Sequence, residues 1–490
     1  MSPSSEAPLA AKRPWGAGAL RQLAWFHRWA GILLCLMFAV WFASGAVMLF
    51  VPFPALSDGA RRASSSPIDM GALAVPPAAA LAGAPDATGL RLINRAGRPT
   101  YVVTVPGRGD RLVVADEGPE AGPLTPGQAA LVASRFAGAA VERVEGPYPY
   151  DQWIVHQRFD SGRPYYRVVL ADGAGTWLYV SALTGEVAQR ATRAERLWNW
   201  CGAVLHWVYI TPLRQDWGLW NQVVWWLSFS AVLTTMAGLW LGIQRTVKAR
   251  RGRRARYTPF PGWLGWHHLT GLVAGTFVAT WIISGWLSMD HGRLFSTGEA
   301  PANRVAAMRG GALPTAVAAL SLADLRLLAP AAEVDFAIIA GHGVAVAHGS
   351  GAPRVLMAGG RPASTLPPDL LTQAVRAAWP DAAEGATPGA DDLYLLAEGL
   401  PPGIRRFSTQ APMRADIYVD ALTGRVGAVM DDSRKAYAWL YYALHTFAVP
   451  GLASRPVLRA AVQLALLSLG LAFSVTGIVV GLRRLRRRLG

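Results

Sequence analysis

The chain has 490 residues, 52% of them hydrophobic and only 16% charged, a balance that lies between a pure membrane bundle and a soluble protein and suits membrane helices carrying sizeable domains. Its net charge of +16 is confined to the termini and one middle loop, so a nucleic-acid-binding surface is not indicated. Cys35 and Cys201 are the only cysteines and there is no C-x-x-C-H, which excludes a disulfide framework, covalent haem attachment and cysteine-rich zinc or iron–sulfur sites.

Residues 1–24, rich in Ser, Pro, Ala and Gly, are expected to form a disordered cytoplasmic N-terminus. The apolar run 29–51 marks a first span over 25–51; it is longer than a signal-peptide core, has no clear cleavage site and is read as retained. A first outer domain follows over 52–194. Within it, 66–89 reads as an Ala/Pro linker, LRLINRAGRPTYVVTV as two strands and RLVVAD as a third. In PGQAALVASRFAG, Ala129, Val132, Ala133 and Phe136 share one helical face behind Pro126. YDQWIVHQRF, RPYYRVVLAD and TWLYVSALTGEV then read as strands, so a helix covering one face of an antiparallel meander is the economical assembly.

A Trp-rich interfacial helix over 195–212 leads to a second span at 217–244, a basic loop at 245–262 and a third span at 263–289. The second outer domain, 290–433, contains GHGVAVAHGSGAPRVLMAG as a hairpin and LPPDLLTQAVRAAWP as a helix; an interfacial helix at 434–450, a fourth span at 456–482 and a basic tail at 483–490 complete the chain. Segment 52–195 balances 14 Arg against 14 acids, and 290–435 holds 13 basic against 15 acidic residues, whereas the middle loop carries seven basic residues and no acid. The positive-inside rule therefore puts the termini and that loop in the cytoplasm and both large domains outside. The expected fold class is membrane α+β, a four-helix transmembrane bundle carrying two extracytoplasmic α+β domains.

The two halves repeat. His27, Gly31, Ser44 and Gly45 return 240 positions later as His267, Gly271, Ser284 and Gly285. LYVSALTGEV at 178–187 returns as IYVDALTGRV at 417–426, LH at 205–206 as LH at 444–445, and AGLWLGIQR at 237–245 as TGIVVGLRR at 476–484, each shifted by 239. Ordered self-similarity at one offset implies a tandem duplication. Gly238 with Gly242 and Gly477 with Gly481 form G-x-x-x-G pairs, which suggests that the second and fourth spans pack closely on each other or on a flat cofactor.

Four of the nine histidines obey the repeat: His27 with His267 and His206 with His445. In a bundle with an approximate two-fold axis, equivalent side chains face each other, and cofactor sites in bundles are built from facing helices. Opposed imidazoles can supply both axial positions of a haem iron, so the two pairs point to two b-type haems, one near each face, with Trp41, Trp281, Trp286, Gly45 and Gly285 as candidate walls. His268 is an alternative to His267, and His291 to a member of the outer pair. His342 and His348 form H-x5-H, a weaker metal candidate, and His156 is assigned to a strand without a role. No metal site beyond haem iron is expected, and no catalytic side chain is singled out.

The strand ending x-x-T-G-x-V at Tyr179–Val187 and at Tyr418–Val426 resembles the close of the PepSY domain. The H-x-x-x-G helix start, the small-Gly pair near the helix exit and the L-H before a later span resemble the PepSY-associated transmembrane family; together these features cover most of residues 21–488. The resemblance implies an inner-membrane haem protein that reduces a ferric siderophore or another periplasmic iron chelate, with His27 and His267 on the inner haem and His206 and His445 on the outer one. No G-x-G-x-x-G opens a strand-helix unit, so no flavin or nicotinamide site is expected, and electrons would come from a membrane quinol or a separate cytoplasmic reductase. The competing reading is a membrane-anchored PepSY module that binds peptides or proteases; a permease is disfavoured because the spans lack paired acids.

Overall fold

The computed structural model describes residues 16–118, 121–251, 256–389, 391–401, 403–411 and 413–489. In chain order, its first half contains α1 (Gly16–Met48), α2 (Asp58–Ser64), β1 (Gly89–Arg95), β2 (Arg98–Val105), β3 (Gly109–Val114), α3 (Pro126–Ala137), β4 (Val141–Tyr148), β5 (Tyr165–Leu170), β6 (Trp177–Ser181), β7 (Val187–Ala191), α4 (Arg193–Cys201), α5 (Ala203–His206) and α6 (Trp217–Arg250). The second half contains α7 (Gly262–Ser288), β8 (Glu333–Ile339), β9 (His342–His348), β10 (Arg354–Met357), α8 (Pro368–Ala378), β11 (Ala383–Glu384), β12 (Arg405–Ser408), β13 (Asp416–Val419), β14 (Val426–Met430), α9 (Asp432–Ala438), α10 (Leu444–Thr446) and α11 (Pro456–Leu489). The chain divides into two compact units: 1–46 with 221–289 and 460–490, and 47–220 with 290–459.

In the first unit, α1, α6, α7 and α11 are long and apolar enough to cross a membrane. Three of them overrun the expected spans. α1 begins at Gly16, because Leu20, Arg21, Gln22, Leu23 and Ala24 are good helix formers with no proline after Pro14; the rest of the expected N-terminal coil, 1–15, lies outside the described residues. α6 runs to Arg250 and α11 to Leu489, so most of the expected basic tail is helix, its arginines sitting where the helix dipole favours cations. Inside the bundle, Phe42 lies against Gly470, where an added Cβ would come within 2.6 Å of its ring, and stands 6.0 Å from the Trp281 ring.

The second unit contains two four-stranded antiparallel meanders, β4-β5-β6-β7 and β11-β12-β13-β14. α3 covers the first. Its start is fixed by the reciprocal Thr125–Gln128 capping box and Pro126, and its end by Gly138 in the left-handed conformation; Ala129 and Ala133 are buried with Tyr166, Val168, Leu178 and Val180. α8 belongs to the second core, where Leu371, Ala374, Val375 and Ala378 are buried with Phe407, Ile417 and Val419.

The two outer segments are not separate modules as the sequence suggested. Their remaining strands form one six-stranded sheet in the order β10-β9-β8-β1-β2-β3, joined by antiparallel pairing of β1 with β8, Leu90 opposite Phe336. The expected Ala/Pro linker is part of this core: Ile68, Met70, Leu73, Leu81 and Ala84 are buried with Leu90, Leu92 and Phe336. YDQWIVHQRF is likewise not a strand. The first meander strand is VERVEGPY, and the segment after it buries Trp153 and Ile154 and ends in a 3-10 turn capped by His156, whose Nδ1 accepts from the Arg158 amide at 3.0 Å.

Charged side chains bind the sheet's central seam. Arg61 and Arg91 each contact both Glu186 (2.6 and 2.9 Å) and Glu333 (2.8 and 3.0 Å), while Arg62 contacts Glu333 (3.1 Å) and Asp335 (3.2 Å). The Glu333 side chain is 2% exposed. Burial pushes its pKa up, but Arg61, Arg91 and Arg62 together outweigh that and hold it well below the usual carboxylate range.

Candidate functional site

His27 on α1 and His267 on α7 come together in the first unit, their ring centres 6.5 Å apart and their planes 31° from parallel. Each ring is locked by its Nδ1. His27 Nδ1 lies 3.0 Å from the Thr234 carbonyl on α6, which can only accept, so Nδ1 carries the proton. His267 Nδ1 lies 3.1 Å from Thr476 Oγ1 on α11; that hydroxyl donates its single proton to the Phe473 carbonyl at 2.6 Å and therefore accepts from the imidazole. With Nδ1 carrying the proton, the neutral form of each ring keeps its lone pair on Nε2, the tautomer a metal ligand needs, held by the kind of outer partner that orients ligating histidines.

Both rings line a cavity of about 440 Å³, within the range of ligand pockets. Its wall shows why the glycines recur at their spacing. Gly31 and Gly271 follow the two histidines by one helical turn, and Gly238, Gly242, Gly275, Gly477 and Gly481 complete the lining from α6, α7 and α11. A Cβ on Gly238 would stand 2.5 Å from His27 Cε1, so that helix turn is cut away to admit the imidazole. At Gly477 a Cβ would meet His267 Cε1 at 3.4 Å. The nearest neighbours of the G-x-x-x-G pairs lie on α1 and α7: His27 for Gly238, Leu272 for Gly242, His267 for Gly477 and Ile32 for Gly481. The second and fourth spans use these glycines to approach the histidine helices and not each other. Phe38 and Phe473 add aromatic surface, Phe473 stacked on His267 at 4.9 Å.

An imidazole nitrogen bonds a first-row metal at roughly 2.0–2.1 Å, and the ring centre lies about 1.1 Å behind it, so two rings on one metal have centres about 6.3 Å apart. The observed spacing meets that figure. A glycine-lined slot that both rings line suits a planar metal-bearing group. Among the described residues, no cluster of three or more His, Cys, Asp or Glu side chains could hold a bare metal ion.

His206 and His445, in the second unit, also stand 6.5 Å apart, with rings 70° from parallel. His206 ends α5, set off from α4 by Gly202, whose backbone (φ −100°, ψ −112°) is not helical. His445 lies on α10, directly after the π-helical turn Trp439–Ala443, with the Tyr441 ring 5.5 Å away. Two residues after each histidine the backbone enters the left-handed region, at Val208 (φ 54°) and Phe447 (φ 53°). Such a conformation is costly for a β-branched or bulky residue and persists only where the surroundings enforce it. After His206 the chain is packed around Arg214, whose buried guanidinium covers the Tyr209 and Trp220 rings at 4.9 and 4.5 Å and donates to Gln157 Oε1 at 2.5 Å, while Trp220 Nε1 donates to the Trp207 carbonyl at 2.9 Å.

The remaining candidates do not face a second imidazole. His268 is buried beside His267 and lines the same cavity, but its Nε2 faces the Gly242 carbonyl at 3.1 Å and its ring lies edge-on to Phe260, while the ring opposite His27 is that of His267. His291 lies in the turn just after α7. His342 and His348 occupy opposite ends of β9, six residues or about 20 Å apart along a strand, too far to share a metal; His348 Nε2 instead lies 3.1 Å from Asp335. Of the expected pocket walls, Trp41, Trp281, Trp286, Gly45 and Gly285 are not among the residues lining the cavity; Trp281 packs on Phe42 and Phe277, and Trp286 on Trp225 and Phe229. The H-x-x-x-G spacing was the usable signal for the true wall. No protein-family model, curated protein or solved structure matches the chain.

Proposed function

We propose that this chain is a haem b oxidoreductase of the bacterial inner membrane that passes electrons across the bilayer to a periplasmic acceptor, a ferric siderophore being the acceptor class, in iron uptake. One observation carries the reading: two imidazoles, each with Nδ1 tied to an acceptor and Nε2 left to bind, share one glycine-lined cavity among helices long enough to span a membrane. His27 and His267 would hold the inner haem and His206 and His445 the outer one. Held by these histidines, haem would supply a one-electron carrier. The chain's own part is to fix the tautomers, hold the rings at the ligating distance and keep water from the apolar slot.

Two further features support the arrangement. The offset of 239 or 240 residues, the strand order mirrored about the β1–β8 seam and the left-handed residues at 208 and 447 fit a tandem duplication whose halves resemble PepSY and PepSY-associated membrane segments. The arginines at the loop and terminal ends of the helices support a cytoplasmic side there, and by the positive-inside rule the two outer segments would then be periplasmic. Electrons would enter from a quinol or a separate cytoplasmic reductase. Purified protein from haem-replete cells should show the reduced-minus-oxidised spectrum of low-spin b-type haem on dithionite addition; a colourless preparation that takes up no haem would refute the proposal.

A further inference from the structure

We propose that Arg28, Arg245 and Arg484 form an anion clamp that holds the carboxylate edge of the planar group in the inner cavity and so fixes which edge points toward the basic end of the bundle. The inference rests on the reading of that cavity as a haem site. All three arginines line the cavity, from α1, α6 and α11 respectively. Arg245 and Arg484 each follow a lining glycine, Gly242 and Gly481, by three residues, about one helical turn, and Arg28 adjoins His27.

Their charge finds no answer within the bundle. The segments 1–46, 221–289 and 460–490 contain a single acidic residue, Glu6, which lies outside the described residues. Topology explains why arginines gather at this end, but it does not explain why three of them line an apolar slot. Others at the same end take different positions: Arg250 lies over the Tyr257 ring at 5.2 Å and Arg483 over Trp263 at 5.7 Å. A guanidinium at the edge of a low-dielectric cavity favours a carboxylate or phosphate and can meet it with two parallel hydrogen bonds. Haem b presents two carboxylates on one edge of an otherwise apolar disc, which matches a slot that is glycine and hydrocarbon along its walls and cationic at its rim. Lipid phosphate is the other source of the same chemistry.

The test uses the full-length protein with Arg28→Gln, Arg245→Gln and Arg484→Gln, singly and together, and the matching Arg→Lys set. Haem transfer to excess apomyoglobin is timed, and haem-depleted protein is reloaded with haem or with haem dimethyl ester, in neutral detergent with and without phosphatidylglycerol. The triple Gln variant should lose its inner haem roughly tenfold faster and should no longer prefer haem to the ester, whereas the Lys set should keep the preference. Equal loss rates together with no preference in the unsubstituted protein would overturn the clamp while leaving the cavity assignment intact. An effect seen only with phosphatidylglycerol present would assign the arginines to lipid and also overturn it. Uptake of neither tetrapyrrole by the unsubstituted protein would instead remove the haem reading on which the clamp depends.

Discussion

Replacing Gly238 by alanine and, separately, Gly477 by alanine should give opposite results, although the two glycines occupy matching places in the two halves. The added methyl at 238 would stand 2.5 Å from His27 Cε1 and 3.1 Å from Nδ1, so the ring has to retreat by about 1 Å to regain ordinary contact. That movement acts on the 3.0 Å bond from Nδ1 to the Thr234 carbonyl and on the spacing from His267. Overpacking of this kind costs roughly 1–3 kcal/mol, offset by about 1 kcal/mol of helix propensity gained on losing a glycine. Disturbing an outer partner of a ligating histidine typically lowers affinity about 10–100-fold. At 477 the methyl meets His267 Cε1 at 3.4 Å, an ordinary contact, and the propensity gain is left unopposed. The assay is the dithionite-reduced spectrum with a pyridine haemochrome count: G238A should lose one haem or turn it high-spin, while G477A should keep the full spectrum and melt no lower than the parent. Retention of both haems in the low-spin form by G238A, or equal damage in the two variants, would refute the derivation of the slot from these glycines.

Substituting His27 or His267 by alanine should bleach one haem and leave the other, and His206 or His445 the converse, so that His27→Ala combined with His445→Ala gives a colourless protein; the haemochrome count checks each. Thr476→Val leaves the His267 Nδ1–H without its acceptor, which should cost about 1–3 kcal/mol and show as faster haem transfer to apomyoglobin, with Thr476→Ser restoring the parent rate. Glu333→Gln leaves Arg61, Arg62 and Arg91 with Glu186 and Asp335 at the seam and, for Arg61, the exposed Asp58 at 3.6 Å, so three guanidinium groups face two sheltered carboxylates, and it should destabilise the second unit by about 3 kcal/mol, read by thermal melting. Because Glu333 is held below the ordinary carboxylate range, its contribution is complete above about pH 4.3 and is lost as the pH falls through its lowered folded-state value; an otherwise matched acid titration of the Gln variant should lack that component.

What could be read from the amino acids divides by physical range. The membrane helices announce themselves by length and hydropathy, and α3 by its face and by Pro126, because helix signals repeat every three or four residues. The seam pairing Leu90 with Phe336 has no local period, since each half supplies only three strands and the partner edge lies far along the chain. The stretch around Ile68, Met70 and Leu73 reads as linker because alanine and proline dominate its composition, yet those few large residues are the ones buried. Glu333 and Arg61 carry no motif at all; only the seam brings them together.

The site shows the same division with a sharper consequence. His27 with Gly31 and His267 with Gly271 could be placed on one helix face by their spacing, and the offset between the halves made the two faces equivalent. Spacing gives a face, however, and not the neighbour that meets it. Gly238 therefore reads as a place where α6 meets another helix backbone or a flat cofactor, whereas it receives the imidazole of α1. Nor can a repeat reveal where the copies part. His27 leans on a backbone carbonyl, which accepts whatever side chain position 234 carries; His267 depends on the hydroxyl of Thr476, which a single substitution removes. Two histidines in equivalent places are thus held by unequal means, and the half anchored through a side chain is the one whose imidazole a mutation elsewhere can most readily release.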